Sequence, residues 1–229
     1  MAFEKLVKKI FKSKTNFKYL DELIHSGTKE IVLESDIIID EEEISEYENG
    51  IKIDLDDITI DGNGYAIDAC RKSRIFECTG KNITLKNITL KNGLVPYDGG
   101  AILNKGDLTI KESTFCRNRA IGKTIHGDRF IKNSTGGAIE NNGNLTVIKS
   151  TFSKNEAIGG IKYYQDFTLP FSGYGGAIYN NGELTITESS FNENVAKKGG
   201  AICYESEDNV NISNCTFNAN EKNDTELHE

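Results

Sequence analysis

A four-residue sequence, Gly-Gly-Ala-Ile, recurs four times in the chain and constrains the fold more than any other feature. Its copies lie at 99–102, 136–139, 175–178 and 199–202. Each is followed by a Phe-x-x-Asn sequence, at 115–118, 152–155, 191–194 and 217–220. Between these landmarks lie short runs that alternate apolar and polar residues, at 108–110, 145–147, 184–186 and 210–212. Because the landmarks keep the same order in all four copies, they mark one repeated structural unit.

Each unit has room for three short strands separated by turns. The last two copies start 24 residues apart, and Asn and Gly, which tolerate tight turns, separate the alternating runs. One such coil cannot bury its apolar side chains alone, but coils stacked ~4.8 Å apart can pair every strand in parallel with its counterpart. We expect three columns of equivalent residues: Phe115, Phe152, Phe191 and Phe217; Ser113, Ser150, Ser189 and Cys215; and Asn118, Asn155, Asn194 and Asn220.

The region before the repeats shows the same strand period without the tetrapeptides. Residues 31–40, 51–68 and 75–93 alternate apolar with polar positions, which indicates three further coils. We therefore predict an all-β fold, a single-stranded right-handed parallel β-helix of about seven coils with an N-terminal helical cap. The predicted organisation is a cap at 1–28, the β-helix at 29–220 and a charged, disordered tail at 221–229.

The N-terminal residues are amphipathic. Apolar side chains recur there at helical spacing and lysines occupy the other side. The apolar residues are Phe3, Leu6, Val7, Ile10 and Phe11. One interpretation is a cap that covers the open end of the stack, as repeat proteins require. The other is a helix that lies on a membrane surface. Residues 15–26 also have a helical pattern, ended by Gly27.

The overall charge argues against nucleic acid as a partner, because the net charge is −8, the pI is near 5.1 and no basic stripe is present. No stretch reaches transmembrane length, and the lack of a signal-peptide pattern predicts a cytoplasmic location. The five cysteines have no metal-binding spacing and are expected to be reduced and buried. We predict no cofactor and no metal, and the sequence indicates no oligomeric state.

One acidic cluster has the carboxylate-rich composition of a calcium site. Its members are Asp54, Asp56, Asp57, Asp61 and Asp68. Their order does not fit an EF-hand loop, and alternate members share the outward face of a strand. We therefore interpret the cluster as a solvated strand face.

The paired GGAI and FxxN tetrapeptides carry a resemblance to a known family. The chain resembles pectin-lyase-like right-handed β-helix proteins, and in particular the subset that includes polymorphic outer-membrane-protein repeats and large adhesin-like surface proteins of archaea and bacteria. The specific match covers roughly 99–220, with looser agreement from residue 31. Members of this kind are usually exported and anchored, so the resemblance implies a cell-surface or secreted location as the alternative to a cytoplasmic one.

Insertions interrupt the repeat at one position, and there we expect function. The next GGAI starts 8 residues after Phe191, but 21 residues after Phe115 and 23 after Phe152. The two longer intervals therefore carry insertions of 13 and 15 residues, which must emerge side by side from the same corner of adjacent coils. Residues 94–98 leave that corner one coil earlier.

These loops hold seven aromatic residues, interleaved with charged and polar ones. Aromatic faces with nearby polar groups suit a carbohydrate site, although the same side chains could simply pack on each other and shield the sheet. The predicted ligand-binding residues are Tyr97, Asp98, Phe130, Tyr163, Tyr164, Phe167, Phe171 and Tyr174. Weaker candidates for acid or base catalysis are His126, Asp128, Arg129 and Asp166.

The sequence favours a non-enzymatic, adhesin-like domain that binds a glycan or a surface protein through these loops. The alternative is a carbohydrate-active enzyme, a polysaccharide lyase or glycoside hydrolase, that uses the same cleft. A third alternative is a structural spacer. No nucleophile elbow, zinc-protease or phosphate-loop motif is present.

Deletion of residues 122–134 should leave a folded protein, because an insertion lies outside the stack that holds the core. We expect the urea midpoint of the deletion variant to stay close to that of the full chain. Collapse of the cooperative unfolding transition would contradict the assignment of these residues to an insertion.

Overall fold

The computed structural model describes residues 15–126, 132–164 and 167–228. Three seven-stranded sheets run the length of the molecule, and all their strand pairs are parallel. Each turn of the chain contributes one strand to each sheet, which makes the fold a parallel β-helix of seven coils. Parallel crossover connections are right-handed in about 98% of cases, which is the handedness predicted from the sequence.

We name the three sheets after their repeat landmarks. The Leu-Thr-Ile sheet contains β1 (Glu30–Val32), β4 (Thr59–Asp61), β7 (Ile83–Lys86), β11 (Asp107–Lys111), β17 (Asn144–Ile148), β24 (Glu183–Thr187) and β28 (Val210–Ser213). The GGAI sheet contains β3 (Ile51–Ile53), β6 (Phe76–Cys78), β10 (Ile102–Asn104), β16 (Ile139–Asn141), β23 (Ile178–Asn180), β27 (Ile202–Tyr204) and β30 (Thr225–Leu227). The Phe sheet contains β2 (Ile37–Ile38), β5 (Ala66–Asp68), β8 (Thr89–Lys91), β12 (Thr114–Cys116), β18 (Thr151–Ser153), β25 (Ser190–Asn192) and β29 (Thr216–Asn218).

Smaller elements complete the fold. A four-stranded corner sheet consists of β9 (Leu94–Val95), β13 (Arg119–Ile121), β19 (Glu156–Ile158) and β26 (Val195–Ala196). The insertions add β14 (Ile125–His126), β15 (Ser134–Thr135), β20 (Ile161–Tyr163), β21 (Thr168–Pro170) and β22 (Gly173–Tyr174). Helix α1 spans Phe17–Ile24, and short 3₁₀ turns lie at Glu41–Glu43 and Glu207–Asn209.

The predicted column of phenylalanines is confirmed. Phe115, Phe152, Phe191 and Phe217 are direct register partners in successive coils. Their rings stack nearly parallel, with centroid separations of 4.7, 4.9 and 5.1 Å. This spacing matches the rise between paired strands, so one ring per coil fills the interior continuously.

The two glycines of GGAI have different roles. The first, such as Gly136, has a φ of +62°, a left-handed conformation that L side chains rarely adopt. The second, such as Gly137, leaves no room for a Cβ, which would overlap the carbonyl oxygen of Gly176 in the next coil. The tetrapeptide therefore marks a turn that is packed directly on the turn of the neighbouring coil.

The predicted asparagine ladder is also confirmed. The Asn155 amide oxygen accepts from the backbone N–H of Asn118 at 3.0 Å and from its side chain at 3.1 Å. The Asn155 side chain in turn donates to the carbonyl of Phe115 at 3.0 Å and to the amide of Asn194 at 2.9 Å. All three asparagines are buried, so these bonds satisfy polar groups that water does not reach.

Helix α1 closes the N-terminal end of the stack, as predicted for this part of the cap. Phe17, Leu20 and Ile24 are fully buried against the first coil. The Asn16 side chain accepts from the backbone N–H of Tyr19 at 3.0 Å and so caps the helix. The amphipathic residues Phe3 to Phe11 lie outside the described residues.

The C-terminal segment differs from the disordered tail predicted for 221–229. Residues Thr225–Leu227 form β30, the seventh strand of the GGAI sheet, in register with Ile202–Tyr204. The charges of this segment suggested disorder, but its backbone groups pair with the open edge of β27. A strand of only three residues carries too little apolar pattern to be recognised from sequence.

Asn155→Ala should lower the free energy of unfolding by more than about 2 kcal/mol, because it leaves several buried hydrogen-bonding groups without partners. The matched control is Asn181→Ala, at an exposed position, which should change stability by less than about 0.5 kcal/mol. Urea unfolding measures both. Equal effects at the two sites would contradict a structural role for the buried ladder.

Candidate functional site

The insertions emerge side by side from one corner of adjacent coils, which we call the insertion corner. Strand β14 of the first insertion pairs in parallel with β20 of the second, so that His126 lies opposite Tyr163. Strand β15 pairs in the same way with β22. The two insertions therefore extend the register of the coils beyond the corner sheet.

The second insertion forms a hairpin that projects from the stack. Strands β20 and β21 pair antiparallel, and with β14 they make a three-stranded sheet that we call the aromatic hairpin. The His126 and Tyr163 rings stack with centroids 5.0 Å apart. Tyr164 and Phe167 stack at 4.4 Å, and the Lys162 ammonium lies 4.9 Å from the Tyr164 ring centre. Two aromatic pairs and one cation are thus brought together.

The aromatic hairpin leaves apolar side chains in contact with solvent. Phe167 is 59% exposed and Tyr163 is 36% exposed. Large exposed apolar side chains in the described residues are Val32, Ile38, Tyr65, Ile158, Ile161, Tyr163, Phe167 and Leu169. Four of these eight, Ile161, Tyr163, Phe167 and Leu169, lie on the aromatic hairpin, and Ile158 lies next to it in β19. The exposed apolar surface is therefore concentrated at this insertion.

A second group at the insertion corner is polar, and we call it the Asp98 cluster. It consists of Asp98, Lys132, Thr135 and Glu140. Lys132 forms an ion pair with the Asp98 carboxylate and lies 5.8 Å from the Tyr97 ring centre. The Thr135 hydroxyl contacts Asp98 at 3.3 Å and also contacts Glu140. One hydroxyl therefore links two carboxyl groups.

This arrangement shifts the pKa of Glu140. Burial raises the pKa of its carboxyl above the ordinary value, and the nearby Asp98 charge raises it further. A single hydroxyl proton can be donated to only one of two carboxylates. A protonated Glu140 removes this conflict, because it can donate to Thr135 while Thr135 donates to Asp98.

A buried arginine holds the loop that carries Asp98. Arg74 is 5% exposed, and its guanidinium donates to the carbonyl oxygens of Gly99 at 3.0 Å and of Asp98. Desolvation lowers the pKa of Arg74 from its ordinary value. The adjacent Tyr97 has a φ of +79°, and its carbonyl accepts from Thr135 N–H at 2.7 Å. These bonds fix a backbone conformation that non-glycine residues rarely adopt.

Tyr174 belongs to a third group. It is 9% exposed, and its ring meets His228 edge-on with centroids 4.5 Å apart. The Tyr179 hydroxyl donates to Glu205, which also pairs with His228 Nδ1 at 2.8 Å. Burial, together with the Glu205 hydrogen bond, raises the pKa of Tyr179. Tyr174 is therefore part of a packed layer over the GGAI sheet.

The remaining predicted residues divide as follows. Phe171 is half-buried at the base of the hairpin, where its N–H donates to the Gly160 carbonyl at 2.8 Å. Phe130 and three of the candidate catalytic residues, Asp128, Arg129 and Asp166, lie outside the described residues. The fourth, His126, is exposed on the hairpin.

Sequence reasoning missed Glu140, Tyr179 and Arg74. Glu140 and Tyr179 are register partners at the outward position that follows GGAI. That position could have been recognised as a second column, because it alternates with the buried isoleucines. No sequence signal marks Arg74, whose partners are backbone carbonyls.

A groove of about 620 Å³ lies beside the insertion corner. It is lined by Leu94, Pro96 and Lys123 on one side and by residues of the segment 41–49, with Lys72, on the other. Its volume is within the usual range of small-ligand sites.

Members of the acidic cluster form ion pairs with lysines. Asp54 pairs with Lys52 at 3.1 Å, and Asp61 pairs with Lys86 at 3.3 Å. Across the described ranges, no group of three or more His, Cys, Asp or Glu side chains is arranged to hold a metal ion. No helix in the described part of the chain is long and apolar enough to cross a membrane.

Two family models match this chain. The model described as "Putative pectate lyase-like adhesive domain" matches residues 14–122. The model of the Chlamydia polymorphic membrane protein repeat matches residues 149–181 and 188–205. The chain resembles both families. Together with the stacked parallel sheets, the two matches confirm the resemblance predicted from the GGAI and FxxN repeats.

The two resemblances support an adhesin-like role and favour a cell-surface location over the cytoplasmic one predicted from the lack of a signal-peptide pattern. They cover different parts of the β-helix: the adhesive-domain match spans the early coils, and the repeat match spans the later ones. Comparison with curated proteins and with solved structures gave no match.

Replacing Glu140 by Gln should stabilise the protein relative to wild type more at pH 7 than at pH 4. The raised pKa means that the folded state binds more protons than the unfolded state above the ordinary Glu pKa of about 4.3. The contribution of Glu140 to stability is therefore present below that value and is lost as pH rises through the raised pKa.

Urea unfolding of both proteins at both pH values measures this difference. The other carboxyl groups contribute the same pH dependence to both proteins, so their contribution cancels in the comparison. Glu183→Gln, at an exposed position, serves as the control. A benefit that is equal at the two pH values, or greater at pH 4, would contradict the assignment of Glu140 as a destabilised carboxylate.

Proposed function

We propose that this chain is a non-enzymatic, adhesin-like β-helix domain that binds a glycan or a protein through the loops of the insertion corner. The observation that carries the proposal is the concentration of exposed apolar side chains on the aromatic hairpin. Soluble proteins rarely leave such side chains together in water unless they contact a partner.

The chemistry of the hairpin favours a glycan as the first ligand to test. Sugar rings present C–H faces that pack on aromatic rings and hydroxyl groups that bond to polar side chains. On the hairpin, the rings of Tyr163 and Phe167 can pack on the C–H faces of a sugar, and the ammonium group of Lys162 can bond to its hydroxyl groups. Register pairing between the two insertions holds the His126 and Tyr163 backbones side by side before a ligand binds.

The Asp98 cluster and the groove beside Leu94 extend this surface along the stack. Asp98, Thr135, Tyr174 and Lys198 follow one another in a ladder of backbone pairs across four coils. A chain-like ligand could therefore contact successive coils at regular intervals of ~4.8 Å.

The enzyme alternative stays a prediction. Its candidate residues were His126, Asp128, Arg129 and Asp166, and only His126 lies in the described residues. Loss of polysaccharide turnover on Asp128→Ala, with folding unchanged, would support a lyase or hydrolase over the binding function.

The double variant Tyr163→Ala, Tyr164→Ala should bind at least about tenfold more weakly to the glycans that the wild-type chain binds on an array. The two substitutions remove two aromatic contacts, and a loss of about 1.4 kcal/mol in binding free energy lowers the affinity tenfold. The matched control is Tyr65→Ala, at a Tyr that is 37% exposed and lies between β4 and β5, away from the insertions. It should retain full binding.

Circular dichroism should show both variants folded. Glycan binding that survives the double substitution would contradict the proposal that the aromatic hairpin is the contact surface. An array without signal, with retained binding to a surface protein that the double variant loses, would assign the same surface to a protein ligand.

A further inference from the structure

Tyr97 has an unusual backbone conformation. Its φ is +79°, and the Asp98 N–H donates to the Pro96 carbonyl at 3.2 Å, so that these three residues form a γ-turn. A γ-turn with a positive φ at its centre is rare and strained. The other non-glycine residues with positive φ in the described ranges have values of 50–62°, within the ordinary left-handed region, and none of them is aromatic.

Several hydrogen bonds hold this strained turn in place. The Thr135 N–H donates to the Tyr97 carbonyl at 2.7 Å, and the Gly99 N–H donates to the Thr135 carbonyl at 2.9 Å. The buried guanidinium of Arg74 donates to the carbonyls of Gly99 and Asp98. A strained backbone persists only where its surroundings over-determine it, and such positions cluster at ligand-binding sites.

The hydrophobic core does not require the strain. Tyr97 is half-buried and belongs to neither of the hydrophobic clusters formed by the described residues. At the corresponding position of the next two coils lie Ser134 and Gly173, and neither has a positive φ. Ser134 is fully buried. The γ-turn therefore keeps a large ring at the surface, at a position where the following coil buries its side chain.

A lysine lies beside the ring that this turn presents. The Lys132 ammonium is 5.8 Å from the Tyr97 ring centre. On the aromatic hairpin, the Lys162 ammonium is 4.9 Å from the Tyr164 ring centre. The insertion corner thus pairs a tyrosine ring with an ammonium group at two places. Each pair offers an aromatic face for sugar C–H groups and a hydrogen-bond donor for sugar hydroxyls.

The two tyrosine–lysine pairs lie at different levels of the stack. Asp98, Thr135 and Tyr174 are backbone partners in three successive coils, and Tyr174 lies at the end of the second insertion. The Tyr97 turn is therefore two coil spacings, about 10 Å, from the base of the hairpin along the axis. A ligand that contacts both pairs must extend over more than one sugar ring.

We propose that Tyr97 and Lys132 form a second subsite for an extended oligosaccharide, which reaches from the γ-turn to the Tyr164–Lys162 pair of the aromatic hairpin. The inference rests on the proposed function, because it assigns the class of ligand that binds at the same surface. The strained turn lowers the stability of the protein and is retained because it presents the ring to the ligand.

Tyr97→Gly tests the strain without any ligand. Glycine adopts a positive φ freely, so this variant should have a higher urea midpoint than the wild type. The matched control is Tyr65→Gly, which removes a tyrosine that is 37% exposed and has no positive φ, and its midpoint should fall. A Tyr97→Gly midpoint at or below that of the wild type would show that packing needs the ring, and would overturn the proposal.

An oligosaccharide array with chain lengths from disaccharide to hexasaccharide tests the subsite. Tyr97→Ala should bind the hexasaccharides that the wild type binds at least about tenfold more weakly. Its affinity for the matching disaccharides should stay within about twofold of the wild-type value, because two adjacent sugar rings are too close together to lie on both pairs. Tyr65→Ala should retain both affinities, and circular dichroism should show all variants folded.

The double variant Tyr163→Ala, Tyr164→Ala separates failure of this inference from failure of the proposed function. Hexasaccharide binding that the double variant loses and Tyr97→Ala retains would remove the second subsite and leave the hairpin as the contact surface. Equal losses for disaccharides and hexasaccharides in Tyr97→Ala would contradict an extended ligand. A wild type that binds no glycan of the series would overturn the inference together with the glycan-binding function.

Discussion

The parallel register between coils is the constraint on which the rest of this structure depends. Each strand bonds to the strand one coil above and one coil below, so a residue is held over its counterpart and not over a neighbour one position away. A slip of one residue would turn every inward side chain outward. The stacked rings of Phe115, Phe152 and Phe191 and the buried asparagines beside them fit only in this register.

The insertion corner inherits its geometry from this register. Coils that carry insertions at the same position deliver them side by side, and β14 with β20 continues the parallel pairing outside the core. The loops can therefore differ in sequence while their bases stay fixed. Arg74 and the glycine turns hold those bases through backbone carbonyls, which leaves the exposed side chains of the aromatic hairpin available for contacts.

Much of the fold could be predicted because the spacing of the repeat corresponds directly to the geometry of one coil. The spacing of GGAI and FxxN gives the length of a coil, and the alternating runs give the faces of the strands. The predictions for the Phe and Asn columns and for the seven coils follow from these two facts, and the structure confirms them. Strand β30 was missed because three residues with charged neighbours carry no such period.

The site was harder to predict than the fold, for a physical reason. The residues of the insertions have no equivalents in other coils. Their positions depend on local packing, which a repeat pattern does not predict. Tyr174 was predicted to bind ligand, and it is buried against Tyr179 and His228. Glu140 was missed because its importance comes from burial beside Asp98, which lies 42 residues away in sequence.

The asparagine ladder gives the molecule an electrical direction. From Asn118 through Asn155 and Asn194 to Asn220, each side-chain amide donates one N–H to the amide oxygen of the next coil. Each of the first three donates also to a backbone carbonyl of the previous coil. Aligned amides polarise one another, so their dipoles add along the axis of the solenoid. The negative end of the row accepts from the backbone N–H of Gly93, and its positive end donates to the carboxylate of Asp224. The β-helix thus terminates this row with a counter-charge, as an α-helix does when an acidic residue lies at its N-terminus.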